Sequence, residues 1–185
     1  MAITISGSGI TSANIADGTI VNADVADVAA SKLTGALPAI DGSALTSLTS
    51  SQMPAGSVLQ VVQTSGVSAV TVNTSTPTTI VSRSITIRSG SKVLITACGD
   101  MNPGTAGDWQ RYRIYRDTAA VGQRYIGQCA DSSYNLPFSI TTLDAPSASG
   151  TYTYSLKAYN GVGSITYGET GSTQTPTIVV QEIAG

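Results

Sequence analysis

The residues best equipped for chemistry lie in one run, Gly107-Asp-Trp109-Gln-Arg111-Tyr-Arg113-Ile-Tyr115-Arg116. Read as a strand, it places Trp109, Arg111, Arg113 and Tyr115 on one face and Tyr112 and Ile114 on the other, because successive strand side chains alternate. Aromatic rings stack on sugar faces, and guanidinium forks grip carboxylate or phosphate oxygens in pairs. Such a face suits an acidic polysaccharide. Trp, Tyr and Arg are also the types enriched where subunits meet, so the run serves equally as an interface. Tyr134-Asn135, in the polar loop Ala130-Asp-Ser-Ser-Tyr-Asn-Leu-Pro137, is a second surface candidate, and an ordinary loop tip has the same composition.

Hydrolysis would need other groups. Glycoside cleavage uses two carboxyls about 5 to 9.5 Å apart, and the candidates are Asp100 with Asp108, or Asp131, Asp144 and Glu169. The chain has only eleven acids, six of them directly beside Gly or Ser, and solvated turn caps account for them better. Histidine is absent, so neither a Ser-His-Asp nor a Cys-His arrangement can be built. Cys98 and Cys129 stand apart from any second pair of ligands, which excludes a four-ligand zinc site. They read as buried thiols, with a disulfide between them left open. No catalytic residue, metal or cofactor is expected, and the chain does not read as an enzyme.

Composition narrows the class further. Only 11% of the 185 residues are charged, against about 25% in ordinary globular proteins, while Ser and Thr together exceed a quarter. Hydroxyls, not ions, carry the surface polarity. The 41% of hydrophobic residues suffices for a core, and a disordered chain would need less apolar content and more net charge. A net charge of −2 offers no attraction to nucleic acid. No apolar run approaches the roughly 20 residues of a membrane helix, and the polar start after Met1 lacks a secretory pattern. A soluble protein made in the cytoplasm is expected.

The elements that must position these residues fall into two grammars. From Ile10, apolar residues recur every fifth position, at Ile15, Ile20, Val25 and Ala30, with Asp17, Asn22, Asp27 and Lys32 two places after. Five matches neither the helical nor the strand period, so this segment buries its apolar side chains against identical copies wound about an axis. Ile10, Ile15, Ile20, Val25, Leu33 and Leu37 are its assembly and attachment contacts, and a short helix over Asp24–Leu33 is the local alternative. The run from Thr49 to Ser57 is a joint rich in Pro, Gly and Ser.

Past the joint, short strands bounded by Gly, Pro, Ser or Asp mark an all-β sandwich or barrel. Strands are expected near 57–63, 78–88, 92–98, 110–117, 123–129, 137–142, 150–160, 163–169 and 177–183. Tyr152, Tyr154, Leu156 and Ala158 share the core face of one, and Ile85 with Ile87 that of another. All aromatic residues lie beyond position 108, which sets an aromatic-free shaft, residues 1–57, apart from a head, residues 58–185.

Ile15-Ala-Asp-Gly-Thr-Ile20 followed by Lys32-Leu-Thr-Gly-Ala-Leu-Pro-Ala-Ile-Asp-Gly-Ser-Ala-Leu-Thr-Ser-Leu48 resembles the amino-terminal region of bacteriophage tail fibres and related virion fibres. Leu143-Asp-Ala-Pro-Ser-Ala-Ser-Gly-Thr-Tyr-Thr-Tyr-Ser-Leu-Lys-Ala158 with Pro176-Thr-Ile-Val-Val-Gln-Glu-Ile183 looks like the trimeric jelly-roll heads of phage, similar in layout to tumour-necrosis-factor and C1q heads. The resemblance implies an all-β homotrimer with an extended, intertwined amino-terminal segment and an antiparallel jelly-roll head. It implies a tail fibre in the virion, anchored to another virion protein and adhering to host-surface glycans through variable loops. A capsid decoration or head-fibre protein is the alternative. A trimeric head must bury one face per subunit, which weights the Trp109–Tyr115 face towards the interface use. No contact with nucleic acid or membrane is expected.

Overall fold

The computed structural model describes residues 52–65, 68–104, 106–107, 109–128, 134–160, 163–168 and 175–185, together with Ala16. The chain divides into two units, Met1–Thr46 and Ser47–Gly185, and all described residues except Ala16 belong to the second. Ile10, Ile15, Ile20, Val25, Leu33 and Leu37 lie outside the described residues, as does the helix considered over Asp24–Leu33.

The second unit is built from β1 (Val58–Thr64), β2 (Val70–Val72), β3 (Thr78–Ile87), β4 (Lys92–Pro103), β5 (Trp109–Arg116), β6 (Ala119–Gln128), β7 (Leu136–Asp144), β8 (Gly150–Tyr159), β9 (Ile165–Tyr167) and β10 (Thr177–Ile183). Each expected strand is present. β2 was not expected, since its three residues are too few for alternation to show. The strands form a six-stranded and a four-stranded antiparallel sheet. In the four-stranded sheet the order is β3-β8-β5-β6. In the six-stranded sheet the long β4 is central, with β7 on one side and β10 and β9 end to end along the other; β1 continues from β10 and β2 from β9.

The pairing is nested. β5 pairs β6, β4 pairs β7, β3 pairs β8 and β1 pairs β10. A long antiparallel ribbon has been rolled up, so that β5-β6 and β3-β8 fall in one sheet and β4-β7 and β1-β10, with the short β2-β9 pair, in the other. Its inward faces meet in one core: Ile80, Val81, Ile85, Ile87, Ile114 and Leu156 from one sheet oppose Val93, Ile95, Phe138, Ile140, Ile178 and Val180 from the other. Their alternation with polar residues is what directs them inward. Aromatic rings continue the core from sheet to sheet: Tyr125 stacks on Tyr112 at 5.7 Å, Tyr112 meets Phe138 at 5.6 Å, and Phe138 meets Tyr167 edge-on at 5.7 Å. Burial raises the ionisation range of the Tyr112 and Tyr167 phenols, each with a smaller contribution from its neighbouring tyrosine.

Two expectations are corrected. Cys98 is exposed rather than buried, because Ala97 and Gly99 take the inward positions of β4 and Cys98 the outward one, beside Thr177 and Ser139. Cys129 lies outside the described residues. Asp100 is not a solvated turn cap: it lies within β4 and is buried, with Asn135 Nδ2 donating to its Oδ2 at 3.4 Å.

Candidate functional site

β5 lies between β8 and β6, so its outward side chains are flanked by those of two neighbours. Burial alternates along it: Gln110, Tyr112 and Ile114 point inward, while Trp109, Arg111, Arg113 and Tyr115 share the outward face. Cross-strand register adds further residues to that face. Arg111 pairs Ile126 on β6 and Tyr159 on β8; Arg113 pairs Lys157; Trp109 pairs Gln128. Trp109 is 49% and Ile126 47% exposed, although both are large and apolar.

The cations on this face are held by rings and carbonyls. The Arg111 guanidinium carbon lies 6.0 Å from the centre of the Tyr159 ring, and Lys157 Nζ lies 4.9 Å from that of Tyr115, both within cation–π range. Arg124 Nη1 donates to the Tyr159 hydroxyl at 3.3 Å, and Arg113 Nε donates to the Gly122 carbonyl at 3.0 Å. None of these four cations has a carboxylate partner among the described residues. The contrast is Arg116, which pairs with Asp144 Oδ2 at 2.8 Å, an oxygen that also accepts the Tyr154 hydroxyl at 2.8 Å. Burial, foremost, and that carboxylate raise the Tyr154 phenol well above its ordinary range. Towards β3 the same sheet face carries paired hydroxyls, Ser84 with Thr153 and Thr86 with Thr151, each pair at 2.8 Å.

The structure therefore brings four of the six candidate residues together. Tyr134 and Asn135 stand apart, leading into β7 of the other sheet. Tyr134 is 67% exposed. The Asn135 side chain is engaged, accepting from Asn102 Nδ2 at 2.8 Å as well as donating to Asp100. Of the carboxylates considered for hydrolysis, Asp144 is tied to Arg116 and Tyr154, and Asp108, Asp131 and Glu169 lie outside the described residues. Among the described residues no group of three or more His, Cys, Asp or Glu could hold a metal.

Sequence reasoning missed Arg124, Lys157 and Tyr159 as members of the site. Alternation already placed Lys157 on the outward face of β8. The missing information was that β8 and β6 flank β5, a pairing between strands distant in sequence.

The other sheet presents a different outward face. Its cross-strand rows read Val61-Gln181-Leu94-Leu143, Gln63-Val179-Thr96-Thr141 and Thr177-Cys98-Ser139. These three rows contain no charged side chain, the next row carrying Lys92 beside Ile183, and Val61 and Leu143 are 54% and 59% exposed.

No protein-family model matches the chain, and no curated protein sequence matches it. Among solved structures, the chain is similar to a family two carbohydrate esterase from Cellvibrio japonicus, at 10% identity and a TM-score of 0.28. It is also similar to a structure of infectious bursal disease virus, Gx strain, at 12% identity and a TM-score of 0.33. Each likeness covers 68% of this chain and 36% of the other, so the chain spans about a third of the length of either.

Proposed function

We propose that this chain is a structural protein of a bacteriophage particle: a homotrimeric tail fibre whose jelly-roll head, residues 58–185, adheres to glycans of the host envelope. Residues 1–57 trimerise and join it to another virion protein. The observation that carries the reading is the outward face of β5, where rings sit with cations that have no carboxylate partner among the described residues. The nested strand pairing supports the jelly-roll part of the reading, since that fold is a double-sheet Greek-key roll. The fibre origin rests on the resemblance of residues 15–48 to virion fibres.

Adhesion of this kind needs no tight single contact. Three sites on one trimer convert later binding events into intramolecular ones and raise avidity by about 10²- to 10⁴-fold. Binding alone accounts for the site, and no bond-breaking step enters the reading.

The test is to image virions carrying a label at Gly185. Label at the tail, with adsorption lost when the protein is removed, is the expected result. Label spread over the capsid, with particles that rupture in its absence, would replace the fibre reading with capsid decoration.

A further inference from the structure

The geometry points to an acidic, extended polysaccharide as the ligand of the outward β6-β5-β8 face, with Arg111, Arg113, Arg124 and Lys157 as its anion-binding groups and Trp109, Tyr115 and Tyr159 as its stacking rings. The biological setting rests on the adhesion reading above; the chemistry rests on the side chains. Four of the chain's nine basic residues meet on this one face. They are oriented by a carbonyl, a hydroxyl and two rings, none of which neutralises them. Among the described residues Arg113 uses only Nε, on the Gly122 carbonyl, which leaves its terminal nitrogens for a ligand. Trp109 and Tyr115, six residues apart on one strand, are separated by about 20 Å. That length fits several sugar units in a row.

Charge decides which glycan. A neutral chain lying here would strip water from four cations and return only neutral hydroxyl acceptors, whereas an acidic chain supplies the stronger charge-assisted bonds in exchange. The same cost attends burying the face in a subunit contact unless the neighbour supplies carboxylates. The charge-free rows of the opposite sheet offer a self-association surface without that cost, which favours ligand binding as the use of the β6-β5-β8 face. A nucleic acid would also find rings and arginines, so oligothymidylate is the competitor that the test must include.

The test measures binding of the full chain to polygalacturonate (carboxylate), polyglycerol-phosphate teichoic acid (phosphate), dextran (neutral) and oligothymidylate at low and high salt. Binding to the first, the second or both, absent for dextran and weakened by salt, is expected; which of them binds identifies the anion. Arg111→Gln with Arg113→Gln should lower that affinity about a hundredfold, with thermal unfolding unchanged. Arg83→Gln with Lys92→Gln removes the same charge from exposed positions elsewhere and should change affinity less than twofold. Equal binding of dextran, tighter binding of oligothymidylate, equal losses in the two double variants, or no polyanion binding would overturn the assignment. A double variant that blocks virion adsorption as well as the unaltered chain would leave adhesion standing and remove this face from it. Polyanion binding by a chain that never blocks adsorption would keep the face and remove the fibre reading.

Discussion

Glu182 shows how one residue ties the ends of the fold. It is buried on β10, and its Oε1 accepts from the Arg88 backbone N–H at 2.8 Å and from Ser91 Oγ at 2.7 Å. Gln60 Nε2 on β1 donates to Oε2 and to the Thr86 carbonyl, each at 2.6 Å. One carboxylate thereby joins β1, β10 and the β3–β4 turn. Burial opposes its ionisation, but these hydrogen bonds and the nearby Arg88 charge outweigh burial and hold the carboxyl below its usual range. The unfolded state therefore binds the proton first as pH falls. The contribution of Glu182 is complete above the ordinary carboxyl value of about 4.3 and is lost as pH drops through the lowered folded value. Glu182→Leu leaves three donors unpaired and should cost about 3 kcal/mol at pH 7 in urea unfolding. The variant should also lose less stability than the wild type between pH 7 and pH 3; equal losses would show that another group governs the acid limb.

At the scale of the element, Gly122 decides how β6 is laid. The register of β6 against β5 shifts between Tyr112 and Ile114, and Gly122 takes a φ of 68° there, a conformation that costs other residues roughly 1–2 kcal/mol. A Cβ at this position would collide with the Thr142 side chain of β7, so the missing side chain lets the margins of the two sheets close together. Its carbonyl also receives Arg113 Nε. Gly122→Ala should lower the unfolding free energy by about 3 kcal/mol, adding left-handed strain to overpacking, as read by chemical denaturation. A loss under 1 kcal/mol would mean that β6 relaxes away from β7 freely. Polyanion binding should weaken in the same variant, because displacement of β6 shifts the residue-122 carbonyl that orients Arg113.

For the whole molecule, the two sheet faces divide the labour. One carries several cations and rings; the other carries Val61, Leu94, Leu143 and Val179 in three charge-free rows, with Lys92 beside Ile183 at the margin. In the proposed trimer the second face is the one to bury, since each large apolar side chain covered contributes roughly 1.5–3 kcal/mol. Val61→Glu with Leu143→Glu should make the assembly dissociate at markedly higher protein concentration in sedimentation experiments, with the β-sheet circular dichroism spectrum kept. Dissociation at unchanged concentration would place the subunit contact elsewhere in the chain.

Local pattern determined a good deal by itself. Period-two alternation located β3, β5 and β8 and told which side chains of each point inward, because strand geometry turns parity into facing. It put Trp109, Arg111, Arg113 and Tyr115 on one surface without knowledge of any neighbour. Low charge and the absence of histidine, likewise, are properties of composition alone. Only the tertiary structure decided the rest. Lys157 and Tyr159 join Arg113 and Arg111 through pairing of β5 with β8, a long-range register with no local mark. Glu182 is an ordinary acid in the sequence until β1 and the β3–β4 turn close over it. Cys98 reads as a buried thiol by residue type, yet its parity on β4 turns it outward. Which sheet face gathers the cations and which presents charge-free rows emerges when strands distant in sequence are set side by side, because burial and electrostatics depend on neighbours in space.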